Sequence, residues 1–183
     1  CSFGVVSSLG YFTQSDEAGV KYGSGGGLPA WEFSDYVDGL QAAAKRKGVT
    51  LTHVDIDSSY TAAWLHAIKN KKEGIDVGPI AMAIRTIQSR GLKAGLFYQG
   101  SVNWKFLKRN LPDVKEDDSF DTCKKRMQEF VQALHKAGVE PDRMIIRRAI
   151  TGDYTHGPET RKGTYFNIVK WLLDEHERVR NSN

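Results

Sequence analysis

The strongest constraint on the fold is a unit that occurs three times along the chain, in which an amphipathic helix ends at a glycine and a short apolar strand follows. The three glycines are Gly48, Gly91 and Gly138. Each follows a basic last helical turn, which suits the negative end of the helix dipole, and each precedes an apolar residue able to close a Schellman-type cap. Strands separated by helices of this length are predicted to run parallel.

Four strands and four helices with one buried face are predicted from the hydrophobic periodicity of the sequence. The strands are Phe3–Ser8, Leu51–Asp57, Leu92–Tyr98 and Met144–Ile150. The buried helix positions are Phe33, Tyr36, Val37 and Leu40; Ile80, Ala83, Ile84 and Ile87; Phe120, Cys123, Met127, Phe130, Val131 and Leu134; and Ile168, Val169, Leu172 and Leu173. Ser119 is the predicted N-cap of the third of these helices.

A chain of 183 residues can form one domain with a sizeable core, so we expect a single α/β domain over residues 1–183 with a mostly parallel sheet. Two architectures fit this element order. One is an irregular or shortened (β/α) barrel, and the other is an open, doubly wound three-layer sandwich. An eightfold barrel usually needs about 250 residues, but the segments between the predicted elements are long enough to contain further short elements.

Charge and composition narrow the classes of partner. The net charge is +4, but lysine and arginine are spread over helices together with acidic residues, a pattern that does not favour nucleic-acid binding. No run approaches the ~18 apolar residues of a membrane-spanning helix, so we expect no membrane partner. Cys1 and Cys123 are not spaced as metal ligands, and whether they form a disulfide with each other stays open. We expect no cofactor or metal. Because the sequence begins at Cys1 without Met, whether the chain is a processed fragment stays open, as does its location, secreted or cytoplasmic.

The second strand carries the candidate catalytic residues. In parallel α/β folds ligands bind at the carboxyl ends of the strands, and His53, Asp55 and Asp57 alternate with apolar residues there, so they share one face. The Cα atoms of two residues at this spacing lie roughly 6.6–6.8 Å apart. Carboxylates that close perturb each other's protonation, which is how one of them becomes a general acid at neutral pH. The alternative is structural: Asp57 caps a turn, and Asp55 pairs with Arg147 or Arg148.

The loop Thr151–Glu159 follows the fourth predicted strand and is rich in side chains that donate or accept protons. His156 is a candidate acid or base there, and Asp153 or Glu159 a candidate second carboxylate. The residues expected to bind substrate are the aromatic and polar ones near strand ends: Tyr98, Gln99, Trp104, Arg147 and Tyr154. The alternative is a turn-forming surface loop without a catalytic role.

Together the His53–Asp57 string, the Leu92–Gln99 strand and the Pro141–Glu159 region resemble parts of the (β/α)-barrel glycoside hydrolases. Those enzymes place acids at strand ends, as Asp55 and Asp57 are placed here, and line the mouth of the barrel with aromatic residues. The resemblance implies a carbohydrate-active hydrolase that uses paired carboxylates and binds a carbohydrate or another small polar ligand.

Three rival functions stay open at this point. The glycine run Gly23–Gly27 could hold a phosphate, which would make the protein a nucleotide- or phosphosugar-binding protein. A sugar-binding or interaction module without catalysis would keep the aromatic residues and lack a working acid pair. In a minor variant, Asp55 and Asp57 would hold Mg²⁺.

Overall fold

The computed structural model describes residues 2–7, 33–57, 60–102, 104, 108, 111–117, 119–146 and 165–181. Four strands form a parallel sheet in the order β1-β2-β3-β4. The elements of the described residues are β1 (Ser2–Ser7), α1 (Phe33–Arg46), β2 (Thr50–Ile56), α2 (Tyr60–Lys69), α3 (Gly78–Gln88), β3 (Lys93–Tyr98), α4 (Phe120–Lys136), β4 (Arg143–Ile146) and α5 (Tyr165–Arg180). The predicted α/β class with parallel strands is confirmed, whereas the choice between barrel and open sheet stays a prediction.

The three glycines that follow the ends of helices, from which the α/β class was predicted, adopt the expected backbone conformation. Gly48, Gly91 and Gly138 have φ angles of +64°, +70° and +67°, the left-handed region that favours glycine. The residues after the first two complete Schellman caps, because the amide of Val49 donates to the Ala44 carbonyl at 3.1 Å and that of Leu92 to the Ile87 carbonyl at 3.4 Å. Each helix therefore ends where the sequence predicted.

The chain divides into two compact units. The first consists of Cys1–Ser58, Gly78–Leu96 and Val139–Met144. Its helices α1 and α3 pack on β2 and on each other. Val54 and Ile56 of β2 have no exposed surface, and a salt bridge joins Arg90, just beyond α3, to Asp38 of α1. This unit contains the strand that carries the predicted acids.

The second unit consists of Ser59–Val77, Phe97–Gly138 and Ile145–Asn183. Its core lies along α4, which packs against α5 and α2. Ser119 caps α4 as predicted, since its hydroxyl accepts from the amide of Thr122 at 3.4 Å. Asp117 adds to this cap, and its hydrogen bonds from the Thr122 hydroxyl and from Ser119 lower its pKa to about 2.

The predicted helix faces are mostly confirmed. Every residue predicted on the α3 stripe is buried, and so are all but Phe120 on the α4 stripe. Cys123 is a buried free thiol there, and Cys1 lies outside the described residues. One position on α5 is wrong: Leu173 is 47% exposed, because the core face of that helix passes through Ile168, Leu172 and Val179. Within the described residues no helix is both long and apolar enough to span a membrane.

Candidate functional site

The candidate site of the first unit is a polar cluster of three side chains on one face of the sheet. His53 and Asp55 lie two residues apart on β2, and Arg143 begins β4. The Asp55 carboxylate is 3.8 Å from His53 Nε2 through Oδ2 and 3.3 Å from Arg143 Nη1 through Oδ1. We call these residues the His53–Asp55–Arg143 cluster. The prediction that His53 and Asp55 share a face is consistent with the ion pair between them.

Asp55 is almost completely buried, with 6% of its surface exposed. A buried carboxylate is costly unless a positive charge or hydrogen bonds compensate for its lost hydration. Arg143 supplies that charge, but Asp55 Oδ1 and Arg143 Nη1 make no hydrogen bond with any described residue, so their contact is an ion pair alone. The sequence-based alternative named Arg147 or Arg148 as the partner, and both lie outside the described residues.

Glycines on the two flanking strands make room for the cluster. The register pairs His53 with Gly4 of β1 and Asp55 with Gly95 of β3. A Cβ atom on Gly4 would lie 1.9 Å from His53 Nε2, and one on Gly95 would lie 1.9 Å from Asp55 Oδ1. The imidazole and the carboxylate therefore occupy the space that a side chain at Gly4 or Gly95 would fill, the imidazole toward β1 and the carboxylate toward β3.

The imidazole is held in one orientation by its neighbour in sequence. Thr52 Oγ1 donates to the carbonyl of Phe3 at 3.1 Å and lies 2.9 Å from His53 Nδ1. A hydroxyl has one proton, and here the Phe3 carbonyl accepts it. The two ring nitrogens therefore have different surroundings, since Nδ1 faces the Thr52 hydroxyl and Nε2 faces the Asp55 carboxylate.

Asp57 is the second predicted acid of β2. It directly follows the last residue of the strand, and its side chain is half-buried. Alternation along an extended chain places it on the same face as Asp55, closer to the carboxyl end of the sheet. Of the two acids, Asp57 is the one with surface open to a ligand.

Three predicted substrate-binding residues lie in the second unit. Tyr98 has no exposed surface, and its ring packs edge-on against Phe130 and His176 at centroid distances of 5.8 and 5.4 Å. Gln99, directly after β3, donates to Ser101 Oγ at 3.3 Å. In the structure Tyr98 is thus a core residue, whereas Gln99 keeps a polar group at the strand end.

Trp104 lies beside a buried arginine. Its half-buried ring is 5.2 Å from the guanidinium of Arg126, a cation–π distance. Arg126 in turn donates to the carbonyl of Gly100 at 3.2 Å and to that of Asp117 at 2.7 Å. Arg126 therefore fixes the segment after β3 and was not singled out from the sequence, because an arginine on a helix is ordinarily exposed.

The remaining predicted site residues lie outside the described residues, so their roles stay predictions. They are Asp153, His156 and Glu159 among the catalytic candidates, and Arg147 and Tyr154 among the substrate-binding ones. The glycine run Gly23–Gly27 also lies there.

Comparison of the chain with protein-family models, with curated proteins and with solved structures gives no match. The chemistry of the cluster therefore has to be argued from its own geometry. Among the described residues no group of three or more His, Cys, Asp or Glu side chains is arranged to hold a metal ion. What the cluster offers is a fixed negative charge, a basic nitrogen and a guanidinium.

Sequence reasoning missed Arg143, Gly4 and Gly95 as parts of this site. A signal for the glycines was present, since a glycine inside a strand often marks the close approach of another group. Gly4 and Gly95 both interrupt apolar strand segments. No comparable signal existed for Arg143, whose role depends on which strand lies near β2 in the folded sheet.

Proposed function

We propose that this protein is a glycan hydrolase in which Asp57 transfers the proton and Asp55 provides a fixed negative charge. The observation that supports the proposal is the buried Asp55 carboxylate, paired with Arg143 at 3.3 Å and followed two residues later by the half-buried Asp57. Two carboxyl groups in unequal surroundings are what glycosidic bond cleavage requires.

The division of roles follows from the surroundings of each acid. Glycoside hydrolysis needs one carboxyl group that protonates the leaving oxygen and one negative group that stabilises the positive charge developing on the sugar ring. Asp55 is buried and paired with the Arg143 guanidinium at 3.3 Å, an arrangement that suits the second role. Asp57 has exposed surface at the strand end and suits the first.

A further acid completes the proposal. Asp55 is nearly enclosed, so a nucleophile or base that contacts the sugar directly has to come from elsewhere at the carboxyl edge. Asp153 and Glu159 are the candidates from the sequence. The separation of the two catalytic carboxyl groups sets the stereochemical course, with about 5–5.5 Å for retention and about 6.5–9.5 Å for inversion.

The test is a screen of the purified protein against polysaccharides and chromogenic glycosides, with Asp57→Asn and Asp55→Asn beside the wild type. We expect Asp57→Asn to lower kcat by about 10²–10⁴-fold, the contribution of general acid catalysis. Asp113→Asn is the matched control, because Asp113 is an exposed acid in a turn of the second unit. It should retain wild-type activity.

Two results would contradict the proposal. If the variant with both strand acids replaced cleaves a glycan at the wild-type rate, the catalytic acids lie elsewhere. If the wild type binds an oligosaccharide without cleaving it, the protein is a sugar-binding module instead.

A further inference from the structure

His53 is the one member of the cluster to which the proposed function assigns no role. Its Nδ1 lies 2.9 Å from Thr52 Oγ1, and its Nε2 lies 3.8 Å from Asp55 Oδ2. That separation is too long for a hydrogen bond and short enough for a strong charge–charge interaction. The protonation of the imidazole therefore alters the electrostatic surroundings of the buried carboxylate directly.

Each of the two side chains occupies space that a glycine on a neighbouring strand leaves open. The ring lies in the space above Gly4 and the carboxylate in the space above Gly95, where a Cβ atom on either glycine would overlap them at 1.9 Å. The side chain of His53 is 25% exposed and that of Asp55 only 8%. The imidazole is thus partly open to water, whereas the carboxylate that it faces is nearly enclosed.

Among the residues that the structure describes, Asp55 is the charged group that lies within ion-pair distance of His53. Arg143 is paired with the far oxygen of the same carboxylate. Lys93, the register partner of His53 on β3, is exposed, and the half-buried Asp57 follows on the same strand face. No residue of β1 from Ser2 to Ser7 carries a charge. A neutral imidazole brings no net charge to the carboxylate, whereas a protonated imidazole presents a positive charge.

We propose that His53 is a proton-controlled positioning residue for Asp55. With His53 neutral, Asp55 interacts with one cation, Arg143. Its negative charge is then offset less strongly and can stabilise a positive charge that develops in the reaction. With His53 protonated, Asp55 lies between two cations, is held more tightly and stabilises a developing positive charge less well. The catalytic part of this inference rests on the proposed glycan hydrolase function, while the coupling between His53 and Asp55 does not.

The coupling is tested by a double-mutant cycle on the full chain. Urea unfolding is measured at pH 5.5 and pH 8.0 for wild type, His53→Gln, Asp55→Asn and the double variant. Histidine side chains ordinarily change charge between about pH 5 and 8. We expect a favourable coupling of about tenfold in the unfolding equilibrium constant at pH 5.5, the size of a partly buried ion pair. At pH 8.0 we expect it to fall to about twofold or less.

Two variants of Thr52 distinguish this role from simple packing. Thr52→Val keeps the shape and removes the hydroxyl that fixes Nδ1, so it should reduce the coupling at pH 5.5. Thr52→Ser keeps the hydroxyl and should restore it. A coupling that is the same at both pH values, or that is unaffected by Thr52→Val, would overturn the inference, because packing alone would then explain it.

The pH dependence of kcat in wild type and His53→Gln separates the role of His53 from the proposed function. Where a glycan substrate is found, kcat of the wild type should fall on the acid side as His53 is protonated, and His53→Gln should lose that decline. A decline that persists in His53→Gln would overturn the catalytic part of the inference. If no glycan is cleaved, the proposed function fails, and the unfolding cycle still decides whether His53 controls the surroundings of Asp55.

Discussion

Gly95→Ala is the change that tests the architecture of the cluster most directly. A Cβ atom at residue 95 would lie 1.9 Å from Asp55 Oδ1, 2.8 Å from its Cγ and 3.3 Å from its Cβ. Ordinary contacts between such atoms begin at about 3.4 Å, so the carboxylate would have to move by more than an ångström. It cannot do so without disturbing its 3.3 Å ion pair with Arg143.

The expected loss of unfolding free energy follows from the disrupted ion pair and from the overpacked position at residue 95. Separating a buried ion pair costs about 3–5 kcal/mol, and overpacking a core position costs about 1–3 kcal/mol. The Arg143 side chain is 39% exposed and can recover hydration, so the lower end applies to the pair. With the lower end of the overpacking cost added, we expect the free energy of unfolding to fall by ~4 kcal/mol, which lowers the urea midpoint by about 2 M at a slope of about 2 kcal/mol/M.

Two comparisons make the result interpretable. Gly39→Ala is the matched control, because Gly39 lies within α1 with nothing within 4 Å of an added Cβ, and it should stabilise the protein by about 0.5–1 kcal/mol. In an Asp55→Ala background the same Gly95→Ala change should cost about 1 kcal/mol or less, since the overlapping carboxylate is gone. A loss below 1 kcal/mol in the wild type, or an equal loss in both backgrounds, would refute the proposed packing of Asp55 over Gly95.

Three further predictions concern the scaffold. Gly91→Ala should destabilise the protein by about 1–2 kcal/mol in urea unfolding, because residue 91 has a φ of +70°; no loss would contradict a left-handed cap. Asp117→Asn should lower the thermal midpoint at pH 6 and have little effect near pH 2: the pKa of Asp117 is lowered to about 2, chiefly by its hydrogen bond from Thr122, so its stabilisation is complete above pH ~4 and is lost as the pH falls through about 2. Equal effects at both pH values would contradict that ionic cap. Tyr60→Phe removes a 2.6 Å hydrogen bond to Glu129 and should cost about 1–2 kcal/mol. Burial and Glu129 raise the pKa of the Tyr60 phenol, so in a spectrophotometric titration this phenol should ionise after the exposed tyrosines, and early ionisation would contradict the contact.

The class of the fold was predictable because its signals are local. A glycine after the last helical turn and a basic last turn are local signals, and Gly48, Gly91 and Gly138 all adopt the left-handed conformation that they predict. The residues after Gly48 and Gly91 also complete Schellman caps. The same holds for the Ser119 cap and for the buried stripes of α3 and α4. The exposure of Leu173 was not predictable in this way, because its neighbours on α5 are apolar too and only packing decides which of them turn inward.

The candidate site was predictable in part, for a related reason. The alternation in β2 placed His53 and Asp55 on one face, because side chains of an extended strand alternate whatever lies next to it. The identity of the cation beside Asp55 was not available from that pattern. From the sequence, Arg147 and Arg148 are as plausible partners for Asp55 as Arg143. The choice depends on how β2 and β4, which are separated by β3 in the sheet, are placed relative to each other.

The sequence by itself therefore determined the alternation of helices and parallel strands, the helix ends and the pair of strand acids, since each of these depends on contacts between residues close together in the chain. Only the tertiary structure decided that Asp55 is enclosed, that Arg143 compensates its charge and that Gly4 and Gly95 leave room for His53 and Asp55. These features depend on which strands become neighbours, and long-range pairing leaves no periodic trace in the sequence of any one strand.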